Sequence, residues 1–289
     1  MTLRIIQTIQ NRFRKNRNEI EEEAPSVIAP VKRERIENRT IEKPETTIAL
    51  QTKSRERRPP VKKAPSPRPK WNLSQFQVAP VEGKTRFHDL DLPIDIIHAI
   101  ADLGFEYCTP IQAEVLPKTL TGVDATGRAQ TGTGKSAAFL IAVLTHLQRK
   151  PISGERRPGT PRALVIEPTR ELALQVKKDA NLLSKYSRCR TEAVFGGMDY
   201  QKQKQMLSEK VVDIVVATPG RLLDFKRQRD IDLSQIEILI LDEADHMLDM
   251  GFIPDVRQII QSTPPKSKRQ TMLFGATLTP GHSSTVRPI

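Results

Sequence analysis

The chain has 289 residues, 46 Lys and Arg against 34 Asp and Glu, and a formal net charge of +12. It holds two cysteines, Cys108 and Cys189, and no apolar run of membrane-spanning length. These totals exclude a disulfide framework, a cysteine-based metal cluster and a helical membrane span. A soluble, cytoplasmic protein of one good-sized domain plus extra, or of two small domains, is the default expectation.

The charge is unevenly spread. Residues 1–70 carry 18 Lys and Arg against nine Asp and Glu, together with eight of the 22 prolines, among them Pro59, Pro60, Pro65, Pro67 and Pro69. Such a stretch buries too little apolar surface to offset chain entropy, so residues 1–84 are expected to form a disordered, basic, proline-rich arm. Two roles stay open for it: non-specific affinity for phosphate backbones, or solubilisation with no partner. At its start Ile5, Ile6, Ile9 and Phe13 share one helical face beside Arg4, Arg12, Arg14 and Lys15. That pattern fits a short amphipathic helix meeting a protein partner or a membrane surface, and it also fits chance. It is too short and charged to span a bilayer and lacks the small-residue cleavage site of a secretory signal.

From about residue 86 helical and strand-like segments alternate. Helical spacing runs over 93–103 and stops at Gly104; a second helix covers 110–121, with Pro110 at its tolerant first position. A weak strand over 123–128, with Val123 and Ala125 as its clear apolar members, leads to a glycine-rich loop and an apolar helix over 136–149. A polar loop follows, Arg149–Pro161. Strands are then expected at Ala163–Glu167, Glu192–Phe195, Asp213–Ala217, Ile236–Leu241 and Thr271–Phe274, with helices notably at 170–185 and 254–262. Strands alternating with helices imply an α/β fold with a parallel sheet covered on both faces. Ligands of such sheets sit at the carboxyl ends of strands.

Two motifs stand at such ends. Residues 129–136 read Ala129-Gln130-Thr131-Gly132-Thr133-Gly134-Lys135-Ser136 and open a helix. A loop of this kind turns backbone N–H groups toward phosphate oxygens with a helix N-terminus behind them. Lys135 is placed for the β- and γ-phosphates and the Ser136 hydroxyl for Mg²⁺. After the apolar run 238–241 comes Asp242-Glu243-Ala244-Asp245. Asp242 is placed to hold the Mg²⁺ shell, and Glu243 to orient and deprotonate a water. Alone, each motif is ambiguous, and the strict loop pattern wants glycine where Ala129 stands; together they describe nucleoside triphosphate hydrolysis with Lys135, Asp242 and Glu243 as its catalytic residues.

In this order, the motifs from Phe87 to Thr277 resemble the first RecA-like domain of a DEAD-box ATP-dependent RNA helicase, of the bacterial type. The resemblance implies a three-layer RecA-like, P-loop NTPase domain over residues 85–280, with ATP and Mg²⁺ as cofactors and RNA as partner. Phe87, Gly104-Phe105 and Thr109-Pro110-Ile111-Gln112 resemble the adenine-recognition motif, in which a glutamine amide pairs with the adenine edge and an upstream aromatic packs on the base. Pro168-Thr169-Arg170, Gly196-Gly197 and Thr218-Pro219-Gly220-Arg221 resemble the motifs that grip the RNA backbone without reading bases. Thr169 and Thr218 also suit plain helix capping. Gly275-Ala276-Thr277 occupies the place of a Ser-Ala-Thr motif that, with Asp245, couples hydrolysis to strand separation.

Two departures matter. Gly275 removes one hydroxyl of the coupling motif while Thr277 keeps the other, so ATP binding is expected to survive and coupling is the property touched. Residues 281–289 are expected to be an irregular remnant, with the second RecA-like domain and its arginine fingers absent from these residues. Weak ATP and RNA binding with poor turnover is then the expectation. The alternatives are a non-catalytic fragment that binds RNA or a partner, and a P-loop ATPase acting on DNA or protein.

Overall fold

The computed structural model of the chain describes residues 71–276, apart from Thr131 and Ser153. The expectations for residues 1–70 and 281–289, including the amphipathic face at Ile5–Phe13, lie outside the described residues.

Residues 71–84, which fall within the expected arm, are seated on the domain. Aromatic anchors explain this. The Trp71 ring stacks on His98 at 4.4 Å between centroids, and Phe76 on His88 at 4.8 Å. Farther on, Tyr107 Oη donates to the Ala79 carbonyl at 2.8 Å, and Arg86 Nη1 to that of Val78 at 3.1 Å. Residues 71–84 are therefore a strap seated on the domain, held by rings that a proline-based reading overlooks.

The described helices are α1 Ile94–Asp102, α2 Pro110–Thr119, α3 Lys135–Arg149, α4 Arg170–Leu183, α5 Tyr200–Glu209, α6 Pro219–Arg227, α7 Ala244–Asp249 and α8 Ile253–Gln261. The strands are β1 Ala125–Arg128, β2 Ala163–Ile166, β3 Thr191–Val194, β4 Ile214–Ala217, β5 Ile238–Leu241 and β6 Gln270–Gly275. All six strands pair in parallel, in the order β1-β6-β5-β2-β4-β3. This is the expected α/β sheet of the RecA type.

Why both faces are covered is written in the strands. In β2, Ala163 and Val165 point into one apolar cluster, and Leu164 and Ile166 into the other. The same alternation holds in β4 and β5, so each strand is apolar throughout rather than every second residue. The first cluster is closed by α1 to α4, the second by α5 to α8. β1 is weak in sequence because of Gly127. A Cβ there would stand 2.6 Å from the Phe274 ring, so the glycine lets β1 lie against β6. The three helices that periodicity did not single out, α5, α6 and α7, are short or polar: α5 buries only Gln203 and Leu207, and α7 has six residues.

The strand order divides the carboxyl edge of the sheet. β1, β6, β5 and β2 carry the phosphate-type and acidic motifs; β2, β4 and β3 carry the three Thr- or Gly-bearing junctions. β2 belongs to both halves.

Candidate active site

The loop after β1 is shaped by backbone that only glycine adopts easily. Gly132 and Gly134 have φ of +85° and +91°. Gly134 is also crowded: a Cβ would lie 2.5 Å from Gln112 Nε2 and 3.1 Å from Thr109 Oγ1. Behind the loop, Thr133 N–H and Oγ1 both donate to the Gln130 carbonyl, at 3.4 and 2.7 Å, and Ala129 N–H donates to Gly275 O at 3.2 Å. Ala129, Gln130 and Thr133 thus build the turn, while Gly132, Gly134, Lys135 and Ser136 face a cavity of about 380 Å³. Thr131 lies outside the described residues.

The acidic motif meets this loop. Lys135, 4 % exposed, places Nζ 2.6 Å from Glu243 Oε1 and 3.4 Å from Asp242 Oδ1. Burial lowers the lysine's pKa, but the Asp242 charge and the Glu243 hydrogen bond outweigh it and the net shift is upward, so the ammonium is charged. Burial raises the pKa of Asp242 while Lys135 opposes the rise. Glu243 adopts φ +47°, rare for a side-chain-bearing residue, and its N–H donates to Asp242 Oδ1 at 2.9 Å. The left-handed turn aims both carboxylates at one lysine. From the same turn Asp245 Oδ2 accepts the Ala276 N–H at 2.8 Å, so the acidic motif is tied to the segment after β6. Thr277 lies outside the described residues.

Of the residues expected to recognise the base, Gln112 and Thr109 stand at the cavity and Phe87 stands apart from it. Gln112 lines the cavity, with its Oε1 accepting Thr109 N–H at 2.9 Å and its Nε2 donating to Gly134 O at 3.1 Å. Each end of the amide keeps one further hydrogen-bonding capacity. Thr109 lines the cavity too. Phe87 does not: it lies in the short helical turn 87–89 and is 0 % exposed in the first core cluster. The aromatic side chains at the cavity are Phe105 and Tyr107. Phe105 was legible in Gly104-Phe105; Phe87 belongs to the core.

The three junctions of the other half come together. The Arg170 guanidinium lies 5.1 Å over the Phe195 ring, beside Gly197. Arg221 donates to Met198 O at 3.0 Å, stands 5.6 Å over the Tyr200 ring, and buries Nη1 without a hydrogen-bond partner. Thr169 caps α4 through Leu172 N–H at 3.3 Å, whereas Thr218 makes no cap bond to α6. Gly196, Gly197 and Gly220 are exposed, and Pro168 is buried behind Thr169, so Pro168 shapes the junction and offers no surface. Gln203, which nothing in the sequence marked, is fully buried and clamps this edge: its amide accepts Phe195 N–H at 2.9 Å and donates to Phe195 O at 3.1 Å. Glu167 was read only as a strand end. It is 0 % exposed, lines the cavity, and has no partner for either carboxyl oxygen. Burial, then the charges of Asp242 and Glu243, push its pKa well up.

Among the described residues no group of three or more His, Cys, Asp or Glu forms a direct metal cage, and no helix is long and apolar enough to cross a membrane. Residues that fit a phosphate-bound divalent ion are nonetheless present: the Gly134 backbone with no room for a side chain, a charged buried lysine, the Asp242 carboxylate beside it, and the Glu167 carboxyl, neither of whose oxygens has a hydrogen-bond partner.

Sheet order and strand pairing define an α/β domain of the RecA-like kind. A model of the family described as DEAD/DEAH box helicase matches residues 109–284, and the chain belongs to that family. It is 60% identical over 202 residues to the ATP-dependent RNA helicase RhlB of Pseudomonas putida, covering 70% of this chain and 51% of that protein. The RhlB of Pseudomonas aeruginosa is 59% identical over the same shares, and that of Shewanella denitrificans is 48% identical over 193 residues, 67% of this chain and 44% of that protein. The chain spans about half the length of the curated relatives it matches.

Proposed function

We propose that this chain carries the ATP-binding half of a cytoplasmic RNA helicase: it binds ATP with Mg²⁺ in the cavity between the 132–136 loop and the acidic turn, and holds RNA by its backbone at the Thr169–Arg170, Gly196–Gly197 and Thr218–Arg221 junctions. The observation that carries the reading is the Lys135 ammonium bridging Asp242 and Glu243 at the carboxyl edge of the sheet.

The residues suggest how the work is divided. Lys135 is held by Glu243, and a triphosphate offers it stronger anionic partners. On that exchange Glu243 loses its lysine and becomes the base that orients a water toward the terminal phosphate. Asp242 and the Ser136 hydroxyl are the residues to hold a magnesium ion, whose contribution is to neutralise charge on the phosphate oxygens. Gln112 selects the base with its remaining donor and acceptor, and Phe105 offers a ring to stack on it. Asp245, through Ala276, relays the state of the acidic turn to the segment after β6. The unpartnered Arg221 Nη1 and the uncommitted Thr218 hydroxyl favour phosphate contact on the second half of the edge.

ATP turnover by the full chain, with and without single-stranded RNA, tests the reading. Turnover that rises with RNA and disappears in Lys135→Ala is the expected result. A DNA strand that competes with RNA on equal terms contradicts the RNA assignment, since the 2′-hydroxyl distinguishes the two.

A further inference from the structure

Glu167 is a fully buried acid at the carboxyl edge to which the proposed division of work gives no part. The parallel register of β2 and β5 pairs Ile166 with Leu241. Asp242 N–H donates onward to Ile166 O at 3.1 Å, so the ladder continues and sets Glu167 beside Asp242 on the neighbouring strand. Side chains alternate along β2: Val165 faces the cluster under α3, Ile166 the opposite one. Glu167 therefore returns to the face of α3, the face on which Asp242 follows Leu241. Its carboxyl lines the same cavity as Lys135, Asp242 and Glu243.

Nothing in the fold requires an acid there. Glu167 is wholly inaccessible, neither oxygen finds a hydrogen-bond partner, and the residues before it in β2 are all apolar. An acid so placed weakens the empty protein, because its hydrogen-bonding capacity goes unmet. A ligand that brings donors to the spot returns what is lost. Among ligands of this site, the donors that reach the Asp242 side are waters bound to a divalent cation.

Building on the reading of the site as a magnesium–nucleotide site, we propose that Glu167 is a positioning residue of that site, accepting a hydrogen bond from a water in the cation's shell and so strengthening the dependence of nucleotide binding on magnesium. It acts through water and through Asp242 rather than as a direct ligand, in keeping with the lack of a three-acid cage among the described residues. Outer partners of this kind hold a cation's waters in one orientation, and their removal commonly costs tenfold or more in metal affinity.

The test is a titration of the full chain with a fluorescent N-methylanthraniloyl adenine nucleotide across a magnesium series that starts in EDTA, for wild type, Glu167→Gln and Glu167→Asp. The expected result is a magnesium half-saturation point raised about tenfold in Glu167→Gln, an intermediate shift in Glu167→Asp, and a melting temperature of ligand-free Glu167→Gln equal to or above wild type. A magnesium dependence in Glu167→Gln equal to wild type overturns the inference and leaves the site reading standing. Failure of Glu167→Gln to fold also overturns it, since the acid then serves the fold. Absence of any magnesium dependence in wild type overturns the site reading itself and this inference with it.

Discussion

The two ends of the sheet both bury charge, and they treat it in opposite ways. At the amino end Arg162, 4 % exposed, engages all three guanidinium nitrogens: Nε and Nη2 reach Glu237 at 2.6 and 2.9 Å, Nη2 also reaches Lys150 O at 2.6 Å, and Nη1 the Leu147 carbonyl at 3.4 Å. His146 completes the carboxylate at 2.7 Å, and Arg156 pairs with Asp213 next door. At the carboxyl end Lys135 faces more acids than it can neutralise, Glu167 has no partner, and Glu243 sits in a left-handed turn. The same secondary structure, in the same sheet, is closed at one end and left wanting at the other. Satisfied burial serves the fold; unsatisfied burial marks where a ligand is awaited.

Substitutions at the two ends are expected to differ in whether they touch binding. Glu237→Ala strands a buried arginine and costs about 3 kcal/mol of stability by chemical denaturation, toward the low end for a broken buried pair because Glu237 is partly exposed, while nucleotide affinity is unchanged. Lys135→Ala touches binding as well: magnesium–nucleotide affinity falls about a hundredfold, read by calorimetry, alongside a stability loss of about 3 kcal/mol from the two buried acids it leaves unpaired.

Acid sharpens the same contrast. Burial pushes the Glu237 carboxyl up, but hydrogen bonds and charge from His146 and Arg162 hold it down at about 2, against an ordinary 4.5. A depressed folded-state pKa contributes stability that is complete above the unfolded value and is lost as pH falls through the folded one. Wild type is therefore expected to lose this contribution between pH 4.5 and about 2, and Glu237→Ala to show a flatter pH dependence over that window in thermal melts. Gly134→Ala comes next. The left-handed φ and the contact with Gln112 cost about 1–2 kcal/mol, and because Gln112 must move, adenine discrimination weakens as well, seen as a smaller gap between ATP and GTP affinity. Smallest is the threonine pair. Thr169→Ala loses a helix cap worth about 1 kcal/mol, whereas Thr218→Ala, with no cap bond to lose, leaves the melting curve in place and weakens RNA retention in filter binding.

What could be read from the sequence follows the same division. The sheet was readable because its strands are short apolar runs; Ile238–Leu241 and Ile214–Ala217 are buried along their whole length. That the 132–136 loop and the acidic turn meet was readable because glycine, lysine and paired acids at this spacing together point to one site. Local spacing does not reveal which face of a packed layer a residue takes. Phe87 looks like a base-stacking ring and is core; Pro168 looks like part of an RNA surface and is buried. Gln203 and Glu167 look ordinary, and their importance comes from partners, or the want of them, across the sheet. For Glu167 a signal existed: an acid closing an otherwise apolar strand, as Asp242 does. Thr169 and Thr218 are indistinguishable in sequence, and only the cap geometry separates them.

If the 132–136 loop and the acidic turn form one magnesium–nucleotide site, ATP affinity must depend on both the cation and the lysine. Calorimetric titration of ATP into the full chain, with magnesium and with EDTA, measures this without any need for turnover. Binding that needs magnesium in wild type and is lost in Lys135→Ala is the predicted result; ATP binding that is indifferent to both magnesium and Lys135, or no binding at all, contradicts it.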